Sequence, residues 1–170
     1  MPITLAGFKS SSRLVAVISA LTLPCIVIFS PLILVVSLLI KLDSKGPVLA
    51  DTPQRIGKGG KTFEVIKFRT MLDGAEKNGA VWATKDDPRV TKGGRFLRET
   101  RLDELPQVFN ILKGEMSVVG PRAERPEFVE KLKKEIPFYE ERLLVRPGLS
   151  GWAQINYGKD FNSSDTKEKL

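Results

Sequence analysis

The 170-residue chain has no histidine and only one cysteine, and these shortages remove several classes of enzyme site. Without histidine there is no Ser-His or Cys-His catalytic arrangement and no zinc site of the HExxH type. The lone Cys25 lies within an apolar run, which excludes a disulfide framework, a CxxC motif and a thiolate with a base beside it. The remaining carboxylates, arginines and lysines suit phosphoryl chemistry with a divalent metal.

Positive charge dominates the residues that are present. The chain has 27 lysines and arginines against 20 acidic residues, which gives a net charge of +7. This balance predicts anionic partners, such as nucleotide phosphates, lipid headgroups or nucleic acid. The length suffices for one compact domain plus an appendage, but not for two full domains.

A long apolar segment lies near the N-terminus. Between Arg13 and Lys41 roughly 27 residues carry no charge, enough to cross a bilayer core of about 30 Å as a helix. Basic residues flank both ends, which is compatible with both ends lying on the cytoplasmic side. Pro24 and Pro31 interrupt the run, and the hydroxyl of Ser30 can bond to a carbonyl that a proline leaves unpaired. The segment predicts either a re-entrant helix broken near Ser30-Pro31 or a kinked helix that spans the membrane.

Two short strands are predicted next, at residues 48–50 and 63–71, joined by a glycine- and lysine-rich turn around residues 57–60. The GGKT of this turn resembles the end of a P-loop, but Arg55 stands where the leading glycine is required. Alternation along the second strand places four side chains on one face, and two of them are cations that project together. These residues are Phe63, Val65, Lys67 and Arg69. The cations are either a solvated strand end or part of an anion site.

Adjacent carboxylates, Asp103 and Glu104, begin the apolar-periodic stretch LDELPQVFNILKG. Its apolar positions at helical spacing are Leu105, Val108, Phe109 and Leu112. They predict a helix that reaches about Lys113 and ends at Gly114. Asp103 then lies at the helix N-terminus, where backbone N–H groups also favour a bound phosphate. The simpler interpretation is that Asp103 is an ordinary N-cap.

Three arginines precede these carboxylates at intervals of three, which stacks Arg95, Arg98 and Arg101 along one side of a helical segment. Such a row is commonly a solvated face, but its position just before Asp103 also suits a phosphate clamp. The rest is predicted as a loop at 72–93, a short strand or turn at 115–122, an amphipathic helix at 126–135 and a tight loop at 147–152. Trp152 is either a membrane-interface anchor or ordinary packing.

Four segments together resemble the monotopic phosphoglycosyl transferases, the bacterial sugar transferase family. They are FSPLILVVSLLIKLDSKGPV, KFRTM, DPRVTKGGRFLRETRLDELPQVFNILKGEMSVVGPR and RPGLSGWAQINY, and the resemblance runs in order from about residue 14 to residue 158. An isolated Asp-Glu pair has no value as a motif. LDELPQ followed by KGEMSVVGPR and RPGLSGWAQ is highly specific.

The resemblance implies a membrane-associated α+β fold. An N-terminal re-entrant membrane hairpin (helix-break-helix) would cover residues 1–41, with its break at Ser30-Pro31. A small, mainly helical cytosolic domain with a short β-hairpin would follow at residues 42–170. The implied location is the cytoplasmic face of the bacterial inner membrane, with membrane lipids among the partners and a state of either monomer or homodimer.

The implied activity is transfer of a sugar-1-phosphate from a nucleotide-activated sugar, expected to be a UDP-sugar, to polyprenol phosphate. Asp103 would attack the sugar-bearing phosphate, form an aspartyl-phosphosugar intermediate and expel the nucleoside monophosphate, while Glu104 would help to hold Mg²⁺. A carboxylate of ordinary pKa is ionised at neutral pH and needs no histidine to act as a nucleophile. The implied substrate- and phosphate-binding residues are Lys67, Arg69, Arg98, Gln107, Pro121, Arg122 and Arg146.

Three features depart from the family pattern. Ala123 replaces the second proline of Gly-Pro-Arg-Pro, Pro53 resembles an extra residue, and the chain ends in DFNSSDTKEKL where the pattern continues into interfacial segments. The last departure keeps open a second hypothesis, a catalytically incomplete, membrane-anchored nucleotide-sugar-binding protein. A membrane-anchored nucleic-acid binder has only charge in its favour, without a binding module or an aromatic stacking ladder, so nucleic acid is not an expected partner.

Overall fold

The computed structural model describes residues 27–51, 54–75, 77, 84 and 86–156, and its first helix, α1, is described from residue 27 to its end at residue 43. Pro31 lies within α1 and has no N–H to donate to the carbonyl of Val27 four residues earlier. The hydroxyl of Ser30 donates to that carbonyl instead, at 2.8 Å. The predicted role of this hydroxyl is confirmed. The first 26 residues of the predicted hairpin lie outside the described residues, and the hairpin stays a prediction.

Helix α1 has two apolar faces. On its inner face, Val36 and Ile40 are buried and pack in one cluster with Phe68 and Leu97. The aliphatic side chains of its outer face are between 51% and 76% exposed. They are Val27, Ile28, Leu34, Val35, Leu38, Leu39 and Leu42. Among the described residues, none of the helices combines the length and the hydropathy needed to span a bilayer.

An antiparallel hairpin follows, formed by β1 (Gln54–Ile56) and β2 (Thr62–Glu64), with Arg55 opposite Phe63. One 3₁₀ turn, Lys58–Gly60, joins the strands at the predicted place. The predicted strand bounds were wrong, because residues 48–50 and 65–71 contribute only isolated bridges. These bridges pair Leu49 with Phe68 and Met71 with Val90.

The buried side chain of Asn110 explains why β2 stops at Glu64. Its amide nitrogen donates to the carbonyl of Glu64 at 2.7 Å, and its amide oxygen accepts from the N–H of Ile66 at 3.0 Å. These are the backbone groups that another strand would otherwise pair with. The side chain therefore substitutes for a strand and connects the hairpin to the segment that follows Asp103.

Helix α2 (Lys92–Thr100) begins after Thr91, whose hydroxyl accepts from the N–H of Gly94 at 2.9 Å. It ends at Arg101, which has a left-handed conformation with φ of 61°. A 3₁₀ helix (Leu102–Gln107) and α3 (Val108–Leu112) follow, and the chain turns at Gly114 with φ of 77°. The predicted end at Gly114 is confirmed.

The N-cap interpretation of Asp103 is wrong, because Arg101 occupies the cap position and Asp103 lies in the first turn of the 3₁₀ helix. The predicted apolar stripe is also not the buried face. A 3₁₀ helix has three residues per turn instead of 3.6, which rotates the inward side relative to a continuous α-helix. The buried residues of the segment are Asp103, Pro106, Gln107, Asn110 and Ile111.

The C-terminal part contains a two-stranded parallel sheet of β3 (Ser117–Val119) and β4 (Gly148–Ser150). Helix α4 (Pro126–Glu135) has the predicted bounds and contributes Val129 and Leu132 to a second cluster. A 3₁₀ helix (Tyr139–Leu144) and α5 (Trp152–Asn156) complete this part. The predicted loop at 147–152 is therefore wrong: β4 pairs with β3, and a short helix follows it directly.

Candidate active site

A cavity of about 440 Å³ opens between the hairpin, α2 and the 3₁₀ helix that carries Asp103. Seven of the nine predicted catalytic and substrate-binding residues line it: Lys67, Arg69, Arg98, Asp103, Glu104, Gln107 and Arg122. Pro121 and Arg146 are not among its described lining residues. The carbonyl of Pro121 instead accepts from the N–H of Gly148, the first residue of β4, at 2.9 Å.

Asp103 lies in the cavity wall, and it is only 9% exposed. Its backbone carbonyl accepts from the N–H of Phe68 at 3.0 Å. Phe68 lies between Lys67 and Arg69 in the chain, so this bond holds the acidic segment against the basic one. Residues from two distant parts of the sequence therefore meet at one wall.

Glu104 faces two guanidinium groups. Nitrogens of Arg101 and Arg122 each lie 3.7 Å from the same carboxylate oxygen of Glu104. The Glu104 side chain is 16% exposed, whereas those of Arg101 and Arg122 are 44% and 42% exposed. The left-handed conformation of Arg101 turns the chain between α2 and the 3₁₀ helix, which is how the third arginine of the row reaches Glu104.

Arg122 connects Glu104 to a second carboxylate. It lies 3.9 Å from Glu124, which is buried and lies 3.8 Å from Arg55 on β1. The result is a row of alternating charges along the cavity, in the order Arg101, Glu104, Arg122, Glu124 and Arg55. Our reading of the sequence missed Glu124 and noted Arg55 only as a mismatch to the P-loop pattern. Residues 55 and 124 are far apart in the sequence, so the residues adjacent to either one do not predict their contact.

Arg98 is aimed into the cavity by a buried hydroxyl. Its Nε donates to the Oγ1 of Thr70 at 2.8 Å, and Thr70 is itself held by a bond from the N–H of Thr91 to its carbonyl at 3.1 Å. Thr70 also lines the cavity. The sequence contains Thr70 within KFRTM, but its role as a partner of Arg98 requires the fold.

Asp87 is a buried carboxylate at the same cavity. The guanidinium of Arg89 donates to both of its oxygens, at 2.9 and 2.5 Å. The pKa of Asp87 is lowered to about 2, chiefly by this side-chain hydrogen bond. Burial acts in the opposite direction and raises the pKa, whereas the charge of Arg98 lowers it weakly. Asp87 is therefore ionised throughout the physiological range.

Arg69 has a different environment from the other cations of the cavity. Its guanidinium donates to the backbone carbonyls of Lys45 and Ser44, the latter at 2.8 Å. These carbonyls belong to the loop after α1. Arg69 therefore ties α1 to the cavity wall, and the structure gives it an anchoring task besides its predicted contact with phosphate.

The carboxylates suit a divalent cation that binds together with substrate. No group of three or more acidic, cysteine or histidine side chains suited to a metal occurs in the described part of the chain. Mg²⁺ commonly binds through one or two carboxylates plus substrate phosphates, without an all-protein cage. Glu104 in the cavity wall supplies one such carboxylate. This donor set suits the predicted Mg²⁺ only together with phosphate oxygens of a substrate.

Comparisons with known proteins place the chain in a family. The family described as bacterial sugar transferase matches residues 9–170. The chain is 49% identical over 143 residues to a UDP-N-acetylgalactosamine-undecaprenyl-phosphate N-acetylgalactosaminephosphotransferase of Aeromonas hydrophila, covering 84% of the chain and 34% of that relative. It is 45% identical over 145 residues to a UDP-glucose:undecaprenyl-phosphate glucose-1-phosphate transferase of Klebsiella pneumoniae, covering 85% of the chain and 30% of the relative.

A third relative, the exopolysaccharide production protein PSS of Rhizobium leguminosarum bv. phaseoli, is 43% identical over 141 residues, covering 79% of the chain and 68% of the relative. The chain thus spans about a third of the length of the first two relatives and about two thirds of the third. The family match includes the whole described cavity. The chain belongs to the bacterial sugar transferase family.

Proposed function

We propose that this protein transfers a sugar-1-phosphate from a UDP-sugar to polyprenol phosphate through a covalent intermediate on Asp103. The observation that carries the proposal is the position of the Asp103 carboxylate in a cavity lined by cations. Those cations include Lys67, Arg98, Arg101 and Arg122. The names of two relatives support the reaction class, because both specify a UDP-sugar and undecaprenyl phosphate.

In the first half-reaction a carboxylate oxygen of Asp103 attacks the sugar-bearing phosphorus of the donor. A bond forms between this oxygen and phosphorus, the bond from phosphorus to the bridging oxygen breaks, and UMP leaves with the electron pair. The nucleophile is an anion and loses no proton. Arg98 and Arg122 offset the repulsion between the carboxylate and the diphosphate. When bound, Mg²⁺ would act as a Lewis acid on the phosphoryl oxygens, with Glu104 helping to hold it.

In the second half-reaction an oxygen of polyprenol phosphate attacks the same phosphorus. The bond to Asp103 breaks, and the carboxylate is regenerated as the polyprenyl diphosphate sugar forms. The acceptor phosphate is also ionised at neutral pH, so the same cations serve both half-reactions. The scheme is therefore ping-pong. The protein would catalyse the first membrane step of bacterial glycan assembly.

The position of α1 supports a site at the membrane surface. Its inner face shares a cluster with Phe68, which lies between Lys67 and Arg69, and with Leu102, which directly precedes Asp103. Its outer face exposes seven aliphatic side chains among the described residues. A lipid-facing α1 would hold the cavity close to the headgroups, where a polyprenol phosphate presents its phosphate. The proposed location is the cytoplasmic face of the bacterial plasma membrane, with residues 1–41 as the re-entrant hairpin.

The test is release of UMP from UDP-sugars by purified protein in nanodiscs, with undecaprenyl phosphate and Mg²⁺. Wild-type protein should release UMP, and Asp103→Asn should lose turnover by at least about 10³-fold, because its amide is a poor nucleophile. Asp86→Asn is the matched control, because Asp86 is exposed and contacts only the exposed Arg95 among the described residues. Equal turnover of Asp103→Asn and wild type would refute the covalent step.

The alternative of a nucleotide-sugar-binding protein without activity makes the opposite prediction. It would bind UDP-sugar but release no UMP with any donor. Because the relatives' names specify different sugars, N-acetylgalactosamine and glucose, the assay should include both UDP-sugars. The donor with the highest kcat/KM identifies the sugar.

A further inference from the structure

The ion pairs of Glu104 affect how tightly a metal can bind at this carboxylate. The inference that follows from them rests on the proposed function. Arg101 and Arg122 both approach one carboxylate oxygen of Glu104, at 3.7 Å each. A divalent cation at that oxygen would lie within a few ångströms of two guanidinium charges. Like charges at such distances repel strongly where the surroundings are only partly solvated, as the low exposure of Glu104 indicates.

A bound diphosphate changes this balance. It brings negative charge that both arginines can contact, and guanidinium groups pair well with phosphate oxygens. It also supplies oxygen ligands that Mg²⁺ prefers. The arginines can then exchange their contacts with Glu104 for contacts with phosphate oxygens, which leaves the Glu104 carboxylate available to the metal.

From this geometry we infer that Arg101 and Arg122 occupy the position at Glu104 where the metal would bind. They leave that position only when a nucleoside diphosphate binds. Metal and diphosphate therefore bind with positive cooperativity, and metal alone binds weakly. The linkage is reciprocal: the factor by which the diphosphate tightens the metal equals the factor by which the metal tightens the diphosphate.

Glu124 gives Arg122 a second partner during this exchange. It lies 3.9 Å from Arg122, and Arg55 balances its charge from the other side at 3.8 Å. Arg122 can thus leave Glu104 without losing every carboxylate contact. Glu124 is a positioning residue that keeps the guanidinium at the cavity while its other partner changes.

The experiment measures Mn²⁺ binding by electron paramagnetic resonance, with and without UDP, and subtracts the Mn²⁺ that UDP binds in protein-free solution. In wild-type protein UDP should tighten Mn²⁺ about tenfold, a size expected for one partly screened charge contact. Arg122→Gln should bind Mn²⁺ alone several-fold more tightly than wild type and bind UDP more weakly. Glu104→Gln should lose Mn²⁺ binding at this site.

Arg95→Gln is the matched control, because Arg95 lines the same cavity but contacts Asp86 instead of Glu104. It should change Mn²⁺ binding less than Arg122→Gln, and Arg101→Gln provides a second test should Arg122→Gln not fold. The inference is wrong if wild type binds Mn²⁺ equally with and without UDP, or if both Glu104-partner variants bind Mn²⁺ no better than wild type.

Turnover of the same wild-type preparation separates this inference from the proposed function. UMP release together with unchanged Mn²⁺ binding in the variants would reject the exchange and leave the transferase intact. Cooperative binding of Mn²⁺ and UDP without any UMP release would support the exchange and reject the transferase in favour of a nucleotide-sugar-binding protein.

Discussion

Helices α1 and α2 bury their inner faces in the same cluster, but their outer faces differ in chemical character. Val36 and Ile40 of α1 and Leu97 of α2 share one core. The outer face of α1 is aliphatic, whereas that of α2 carries Arg95 and Glu99, with Phe96 as one exposed apolar residue. The cavity lies on the charged side. One small core therefore supports an aliphatic surface suited to lipid and a charged surface suited to phosphate.

Disrupting the core that the two helices share should destabilise the protein more than any other change considered below. Leu97→Ala removes a side chain that is 3% exposed and should lower the free energy of unfolding by about 2–5 kcal/mol. Its neighbour Phe96 is 56% exposed, and Phe96→Ala should change that free energy by less than about 1 kcal/mol. Urea denaturation in detergent measures both. Similar costs for the two variants would contradict the assigned inner and outer faces.

A charge on the outer face of α1 should weaken membrane binding. Leu38 is exposed on that face, and Leu38→Asp should cost about 2 kcal/mol of partitioning, or about thirtyfold in vesicle binding. Thr100→Asp places the same charge on the exposed side of α2 and should leave vesicle binding nearly unchanged. Co-sedimentation with anionic liposomes compares them. If the two variants bind equally well, the outer face of α1 does not contact lipid.

On the charged side, Thr70 should matter through Arg98. Thr70→Val removes the hydroxyl that accepts from Arg98 and should lower kcat/KM for the donor about tenfold, as expected for a hydrogen bond to a charged group. Thr70→Ser keeps the hydroxyl and should restore most of the rate. In an Arg98→Lys background Thr70→Val should cost much less, and full additivity of the two changes would refute the coupling.

The smallest effect concerns acid stability. Because the pKa of Asp87 is lowered to about 2 in the folded protein, its ion pair with Arg89 contributes stability above its ordinary pKa near 4. That contribution is lost as the pH falls from about 4 through about 2. Wild type should lose about 1 kcal/mol more than Asp87→Asn between pH 6 and pH 2.5. Parallel pH profiles of the two proteins in urea denaturation would contradict the assignment.

Local signals in the sequence were sufficient for several elements. Pro126 marks the first turn of α4. Gly114, just after α3, has the positive φ at which the chain turns away from the helix. The LDELPQ and KFRTM motifs also pointed to residues that the fold brings to one cavity. These features depend on one residue or a short run, and neighbouring residues carry the information.

Features that depend on distant contacts could not be predicted in the same way. The end of β2 is set by the side chain of Asn110, and the pairing of β3 with β4 turns a predicted loop into a strand. The contact of Arg55 with Glu124 likewise requires the hairpin to meet the segment before α4. Each depends on tertiary packing, which overrides local propensity.

In the proposed reaction Asp103 becomes transiently bonded to the phosphorus of the donor. The most direct test is mass spectrometry of protein incubated with a UDP-sugar and Mg²⁺ in the absence of polyprenol phosphate. We expect a mass increase of one sugar phosphate on the peptide that contains Asp103, lost on addition of the acceptor and absent in Asp103→Asn. Complete conversion of donor and acceptor to product without any such adduct, in a rapidly quenched time course, would contradict the claim.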